Sequence, residues 1–168
     1  MVAAAITKCD IEINNIVPEH SRAVIDKLIQ SGADIKILKD SVRVKMKKRP
    51  KAINIETNAY PFFPTDMQAQ MTALNCIADG DSSVKENIFE NRFMHAQELI
   101  RMGAKIRVHD NIAEISGREE LLGAPVMATD LRASASLILA GLAAKGTTEI
   151  GRVYHIDRGY DCIEEKLQ

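Results

Sequence analysis

The chain has 168 residues, of which 22 are Lys or Arg and 23 are Asp or Glu, so its formal net charge at pH 7 is −1. A charge this close to zero argues against a nucleic-acid or anionic-membrane surface, and no apolar run is long enough to span a bilayer. The length and the 46% hydrophobic fraction predict one globular domain over residues 1–168. Its three cysteines lack metal-binding spacing, and we interpret them as reduced thiols of a cytosolic protein.

The first third of the chain is predicted to alternate between strands and helices. Ile11 and Ile13 alternate with polar side chains, which is typical of a strand. Pro18 suits the first turn of a helix, and Gly32 suits the residue that ends it. The predicted elements are a strand over 3–16, a helix over 19–31, a β-hairpin around 39–41 and a short strand over 53–55.

The stretch Tyr60–Gln70 joins an arm with two prolines to the start of a helix. The prolines favour an extended arm, since each disfavours helical dihedral angles in the residue before it. Thr65 and Gln68 have the spacing of a capping box, so we predict a helix over 65–78. Asp66 would lie in its first turn, where the helix dipole favours a carboxylate.

The second half of the chain repeats this alternation of elements. The glycines after each predicted helix are again suitable for helix ends. The predicted elements are a strand over 84–89, a helix over 93–102, a hairpin over 106–115, an extended piece over 125–127, a helix over 129–145, a strand over 147–150, a turn over 154–159 and a last helix from about residue 160.

An internal repeat underlies this order. The pattern of residues 28–37 recurs over 99–108, and Thr65-Asp66 recurs as Thr129-Asp130. The apolar helix face in the first copy is Met67, Met71, Leu74 and Ala78, and in the second it is Leu131, Ala135, Ile138 and Leu142. A repeated unit of helix, strand, helix and hairpin predicts an α/β fold with helices inside or across sheets. Because a third copy stops near the last residue, we expect the final unit to be truncated.

Four motifs carry a resemblance to a known family. They are Pro64–Gln70, Glu90–His95, Thr129–Ser136 and His155–Tyr160. Together they resemble the motifs of the UDP-N-acetylglucosamine 1-carboxyvinyltransferases, a branch of the enolpyruvyl transferases. The related enzymes that act on shikimate 3-phosphate share the architecture, but these four motifs resemble the UDP-sugar branch. The match covers essentially the whole chain.

The resemblance implies an EPSP-synthase-like domain, an inside-out α/β barrel of repeated βαβαββ units. Family members have two such domains, and this chain matches the C-terminal one. The family's catalytic cysteine loop and the Lys-Asn pair that holds phosphoenolpyruvate lie in the other domain, which we expect to be absent. Cys9, Cys76 and Cys162 therefore do not inherit the catalytic role.

The implied reaction transfers the enolpyruvyl group of phosphoenolpyruvate to the 3-hydroxyl of UDP-N-acetylglucosamine, the first committed step of cytoplasmic peptidoglycan synthesis. A sugar hydroxyl needs a base, and arginine forks suit phosphate and carboxylate oxygens. The resemblance implies no cofactor or metal, and its partners are the two substrates and the N-terminal domain. The implied catalytic residues are Asp66, Asp130 and Arg158, and the implied substrate-binding residues are Asp66, Ile88, Arg92, Arg132 and Arg158.

Structural alternatives stand beside these roles. Asp66 and Asp130 could simply be acids at helix starts. Arg132 could be a surface residue, and Arg158 could form a local ion pair with Asp157. His95 and His155 remain undecided between structural and functional roles. For the chain as a whole, the alternatives to part of an enzyme are a free-standing UDP-sugar-binding or interaction module and a relic that pairs with a full-length enzyme.

Overall fold

The computed structural model describes residues 1–167. The α-helices are α1 (Val2–Ile6), α2 (Arg22–Gln30), α3 (Gln68–Ile77), α4 (Met94–Arg101), α5 (Leu131–Ala143), α6 (Tyr154–Asp157) and α7 (Ile163–Lys166), and 3-10 turns span Pro18–Ser21 and Thr65–Met67. The strands are β1 (Asp10–Asn14), β2 (Asp34–Ile37), β3 (Ser41–Lys45), β4 (Ile55–Glu56), β5 (Asp81–Lys85), β6 (Lys105–His109), β7 (Ile112–Ser116), β8 (Pro125–Met127) and β9 (Glu149–Gly151). None of the helices in this part of the chain is long and apolar enough to cross a membrane.

The strands form three sheets that show the internal repeat. Their orders are β1-β3-β2, β4-β5-β7-β6 and β8-β9. In the first two sheets the hairpin strand that returns, β3 or β7, lies between its hairpin partner and an earlier antiparallel strand. Strands β4 and β5 are parallel and are connected through α3, while β8 and β9 are parallel and are connected through α5. The second sheet therefore contains a complete β-α-β-α-β-β unit.

The two helix ends before the hairpins have the same backbone geometry. Gly32 and Gly103 have φ angles of 101° and 89°, which L side chains rarely adopt. In each copy the following N–H, from Ala33 or Ala104, donates to the carbonyl oxygen of the leucine five residues earlier at 3.0 Å. The predicted equivalence of residues 28–37 and 99–108 is therefore confirmed at the level of individual hydrogen bonds.

The centre of the fold is helical, and the sheets lie outside it. Helix α3 packs against α5 and α1, and every residue from Gln68 to Ile77 is buried. Such a helix has to satisfy its polar side chains internally. Asn75 does so by accepting from the N–H of Ile53 and donating to the carbonyl oxygen of Ile53. Helix α3 is therefore buried on all sides, as a helix inside the fold requires.

Four details of the predicted elements were wrong, and one is the predicted turn over 154–159, where residues 154–157 form α6. Residues 2–6 form α1 rather than the beginning of a strand, because the alanine-rich segment has no alternating pattern and packs in the core between α3 and α5. The predicted strand over 84–89 is β5 at 81–85, and the chain leaves the sheet at Glu86. In α5 the predicted apolar face is only partly covered, since Leu142 is 45% exposed and the deepest apolar side chains are Ala133, Leu137 and Ala140.

Candidate functional site

Asp66 lies in a 3-10 turn that leads directly into α3, as the sequence predicts. The predicted capping box is wrong, however. The Thr65 hydroxyl donates to Glu86 Oε2 at 2.9 Å instead of capping the helix backbone, and Gln68 is buried with its Nε2 atom unpartnered within the described residues. The turn is therefore held from the side by another loop, and not by its own helix end.

The arm before Asp66 borders a cleft of about 540 Å³. It is not fully extended, because the Phe62 N–H donates to the carbonyl oxygen of Ala59 in a turn that contains a cis peptide bond before Pro61. Phe63 is buried and anchors the arm, whereas the Tyr60 and Phe62 side chains are largely exposed. The opposite wall comes from residues 19–24, and Asp66 and Ile88 also line the cleft.

Asp66 is paired with two of the predicted arginines. Arg132 Nε donates to Asp66 Oδ1 at 2.5 Å, and Arg92 Nη2 donates to the same oxygen at 3.5 Å. Within residues 1–167 the other oxygen, Oδ2, accepts no hydrogen bond from a side chain. The Asp66 side chain is 65% exposed, and ion pairs this exposed contribute only about 0–1 kcal/mol to stability. The cluster therefore leaves one carboxylate oxygen accessible beside two guanidinium groups.

Arg92 is the most enclosed member of this cluster. Its guanidinium lies 4.3 Å from the ring centroid of Phe89, and Nη1 donates to Thr65 Oγ1 at 3.0 Å. A cation over an aromatic face and a hydrogen-bonded fork restrict the rotation of a long side chain. Arg92 thus presents a fixed charge next to Asp66.

Asp130 has a structural role that the sequence analysis kept as an alternative. It is the N-cap of α5, and its Oδ1 atom accepts from the N–H groups of Arg132 at 2.8 Å and Ala133 at 3.0 Å. Such a cap stabilises a helix start by about 1 kcal/mol. Because the cap fixes the first turn of α5, it also fixes the backbone from which Arg132 reaches Asp66.

Ile88 and Arg158 are positioned differently from the paired residues. Ile88 is partly exposed in the cleft, and its N–H is already used in a 2.9 Å hydrogen bond to Glu86 Oε1, so a ligand contact would use its carbonyl oxygen. The Arg158 side chain makes no hydrogen bond or ion pair within residues 1–167, and the predicted alternative of a pair with Asp157 is not observed. Gly159 packs so closely on Leu131 that an added Cβ would lie 2.7 Å from it, which places Arg158 near the first turn of α5.

The two undecided histidines have unlike surroundings. His95 is buried in the first turns of α4, and burial lowers its pKa to about 4, while the nearby Asp130 acts in the opposite direction. An imidazole in this environment is neutral at pH 7. The ring of His155 lies 4.2 Å from that of Tyr154, and it is not part of the Asp66 cluster.

The sequence analysis missed Glu86. This residue is only 2% exposed, and its carboxylate accepts hydrogen bonds from the hydroxyls of Thr57 at 2.8 Å and Thr65 at 2.9 Å. It also accepts from the N–H groups of Ile88 and Phe89. Its place inside the predicted strand over 84–89 concealed it, and the available signal was an acid four residues before the Glu90–His95 motif.

Comparison with known proteins gives this geometry a context. The model of the family described as EPSP synthase (3-phosphoshikimate 1-carboxyvinyltransferase) matches residues 1–167. A UDP-N-acetylglucosamine 1-carboxyvinyltransferase of Geobacter metallireducens is 62% identical over 167 residues, and one of Hydrogenovibrio crunogenus is 56% identical over 168 residues. Each alignment covers 99% of this chain but 40% of the relative, so the chain spans about 40% of the length of these proteins.

Solved structures agree on the fold. The enolpyruvyl transferase NikO from Streptomyces tendae superposes with a TM-score of 0.86 at 27% identity, covering 99% of this chain and 40% of that one. EPSP synthase from Acinetobacter baumannii superposes with a TM-score of 0.75 at 22% identity, over 99% of this chain and 42% of that one, which concerns the fold alone. The resemblance and the fold inferred from the four motifs are confirmed, and the chain belongs to the EPSP synthase family of enolpyruvyl transferases.

Proposed function

We propose that this chain provides one side of an active site that transfers the enolpyruvyl group of phosphoenolpyruvate to the 3-hydroxyl of UDP-N-acetylglucosamine. The observation that carries the proposal is the Asp66 carboxylate, which is anchored through Oδ1 by two arginines and accepts no side-chain hydrogen bond at Oδ2 within residues 1–167. The identities of 56–62% to enzymes named for this reaction support the choice of substrates.

In this proposal Asp66 is the general base. A sugar hydroxyl becomes a competent nucleophile when a positioned acceptor takes its proton in the transition state. Asp66 lines the 540 Å³ cleft together with Ile88, so a sugar held in the cleft would present a hydroxyl to Oδ2 while the Ile88 carbonyl oxygen accepts another. The exposed Tyr60 and Phe62 rings give this cleft an apolar rim.

The arginines are assigned to the anionic substrate. Arg92 and Arg132 lie on one side of Asp66, and their guanidinium groups suit the phosphate and carboxylate of phosphoenolpyruvate. Arg158 would join them from the end of α6, as the residue after Asp157, since its side chain has no partner among residues 1–167 and Gly159 packs near the start of α5. Asp130 would act by fixing the first turn of α5. Its implied catalytic role, in orienting groups or handling protons beside the reacting centre, is part of this proposal.

The rest of the site would come from sequence that the relatives have outside the matched 40% of their length. Closure between two domains commonly completes such a site and excludes water. On this proposal the chain by itself releases no phosphate from phosphoenolpyruvate, and the assembled enzyme acts in cytoplasmic peptidoglycan synthesis, with the consequences for cell shape and division that cell-wall synthesis carries.

The test is a phosphate-release assay with both substrates, using this chain alone and joined to the complementary part of the enzyme from the same source. Asp66→Asn keeps the size of the side chain but removes the base, and we expect the rate of the joined enzyme to fall by about 10²–10⁴-fold. Asp10→Asn is the matched control, because Asp10 is also an acid paired with two basic side chains, Arg43 and Lys45, but on the β1-β3-β2 sheet.

Three outcomes would contradict the proposal. Turnover by this chain alone would refute the division of the site. An Asp66→Asn enzyme that is as active as the Asp10→Asn control would exclude Asp66 as the base. Binding of UDP-N-acetylglucosamine without any phosphate release by the joined enzyme would instead favour a UDP-sugar-binding module.

A further inference from the structure

Glu86 is a buried carboxylate that no basic side chain contacts within residues 1–167. It is 2% exposed and lies at the point where the chain leaves β5. Burying a charged group without compensation is costly, so the four hydrogen bonds that it accepts have to replace its hydration. The donors belong to three separate segments, which are the chain after β4, the turn before α3 and the loop after β5.

We propose that Glu86 is the positioning residue of the candidate site, because it orients Arg92 through the Thr65 hydroxyl and holds the Ile88–Phe89 backbone at the cleft. The roles given to Arg92 and Ile88 rest on the proposed function. The contacts by which Glu86 holds them do not.

The first connection is a relay through one hydroxyl group. Thr65 Oγ1 donates its only proton to Glu86 Oε2 at 2.9 Å, so its lone pairs are free for a donor. Arg92 Nη1 donates to Thr65 Oγ1 at 3.0 Å. The carboxylate therefore determines the direction of the hydroxyl, and the hydroxyl determines the position of one guanidinium nitrogen.

The second connection runs through the loop after β5. Glu86 Oε1 accepts from the N–H of Ile88 at 2.9 Å and of Phe89 at 3.3 Å. The Phe89 ring lies under the Arg92 guanidinium, so the same carboxylate supports Arg92 from two sides. Ile88 lines the cleft, and the hydrogen bond to its N–H leaves its carbonyl oxygen for a ligand.

Glu86→Gln is an almost isosteric change that breaks this relay. Its amide oxygen can still accept from the Ile88 and Phe89 N–H groups, but its NH₂ group then faces the Thr65 hydroxyl as a donor. The Thr65 hydroxyl then loses the acceptor that fixes its direction, its proton has to turn elsewhere, and Oγ1 accepts from the new NH₂ group. The hydrogen bond from Arg92 to Thr65 Oγ1 should therefore become weaker and less fixed in direction while the loop stays in place.

The experiment measures Arg92 in the 168-residue chain by arginine side-chain NMR. We expect guanidinium rotation and proton exchange to become about 3- to 10-fold faster in Glu86→Gln, as the loss of one hydrogen bond implies. Thr65→Val should have the same effect, and Thr65→Ser should restore the slow exchange. Thr57→Val is the matched control, since Thr57 donates to Oε1 of the same carboxylate and accepts from the Asn87 N–H, but within residues 1–167 it makes no hydrogen bond with Thr65 or Arg92.

The outcomes separate this proposal from the proposed function. Unchanged Arg92 signals in a folded Glu86→Gln chain would overturn it, and so would unchanged signals in Thr65→Val if Glu86→Gln fails to fold. In the joined enzyme, Glu86→Gln should lower kcat/KM for phosphoenolpyruvate by about 10- to 100-fold, whereas Thr57→Val should not. If the original joined enzyme shows no turnover while Glu86→Gln still makes the exchange at Arg92 faster, that result would refute the proposed function and leave the positioning role of Glu86 intact.

Discussion

Protonation of His95 is expected to destabilise the fold as the pH falls. Burial lowers the pKa of this imidazole to about 4, whereas an unfolded chain binds the same proton near the ordinary value of 6.5. The contribution of the neutral imidazole to the free energy of unfolding is therefore fully present above about pH 6.5. It is lost progressively as the pH falls from about 6.5 to about 4. Asp130 opposes the effect of burial but does not cancel it.

The size of the effect follows from the two pKa values. One pKa unit corresponds to about 1.4 kcal/mol, so the interval from 6.5 to about 4 amounts to about 3 kcal/mol over the whole window. Most of this, about 2 kcal/mol, should already be lost at about pH 4.5. Carboxylates also titrate there, and only a comparison with a variant isolates the contribution of His95.

The assay is urea-induced unfolding of the chain and of His95→Gln, followed by circular dichroism between about pH 4.5 and pH 7. We expect the free energy of unfolding to fall by about 2 kcal/mol more in the original chain than in His95→Gln over this range. His109→Gln, which replaces an exposed histidine on β6, is the matched control. Equal pH dependence in the chain and in His95→Gln would refute the reasoning.

Two further predictions concern the packing of the fold. Gly117→Ala should destabilise the chain by about 3 kcal/mol, because its Cβ would lie 1.9 Å from the carbonyl oxygen of Ala78, whereas Gly32→Ala should cost about 1 kcal/mol from its positive φ alone. Thermal unfolding checks both, and equal losses would contradict the close approach at Gly117. The Cys76 thiol, whose pKa burial raises to about 12, should resist alkylation by iodoacetamide at about pH 8 while Cys9 reacts. Equal labelling of the two in the folded chain, measured by mass spectrometry, would contradict the burial of Cys76.

The repeat was the part of the fold that the sequence predicted best. A glycine just after a helix end adopts a positive φ for a local conformational reason, so Gly32 and Gly103 mark equivalent helix ends without any knowledge of tertiary contacts. The strand prediction for residues 2–6 was wrong for the opposite reason. A five-residue alanine-rich helix is stable only because α3 and α5 surround it, and that surrounding is a property of the whole fold.

The candidate site was predictable only in part. The Thr65-Asp66 motif correctly indicated a helix start with a carboxylate beside it, but the capping box failed because Glu86, 21 residues away, takes the Thr65 hydroxyl. The pairing of Asp66 with Arg132 spans 66 residues, and no local pattern determines a contact over that distance. The motifs predicted which residues form the site. The distances between those residues depend on how α3 and α5 pack against each other.

The base role of Asp66 is tested most directly by a crystal structure of the joined enzyme with UDP-N-acetylglucosamine bound. The quantity to measure is the distance from Asp66 Oδ2 to the oxygen of the sugar 3-hydroxyl. We expect a hydrogen-bond distance of about 2.6–3.2 Å, with Arg132 still donating to Oδ1. A 3-hydroxyl that contacts another acid, with Asp66 facing solvent, would contradict the role of Asp66 as the base.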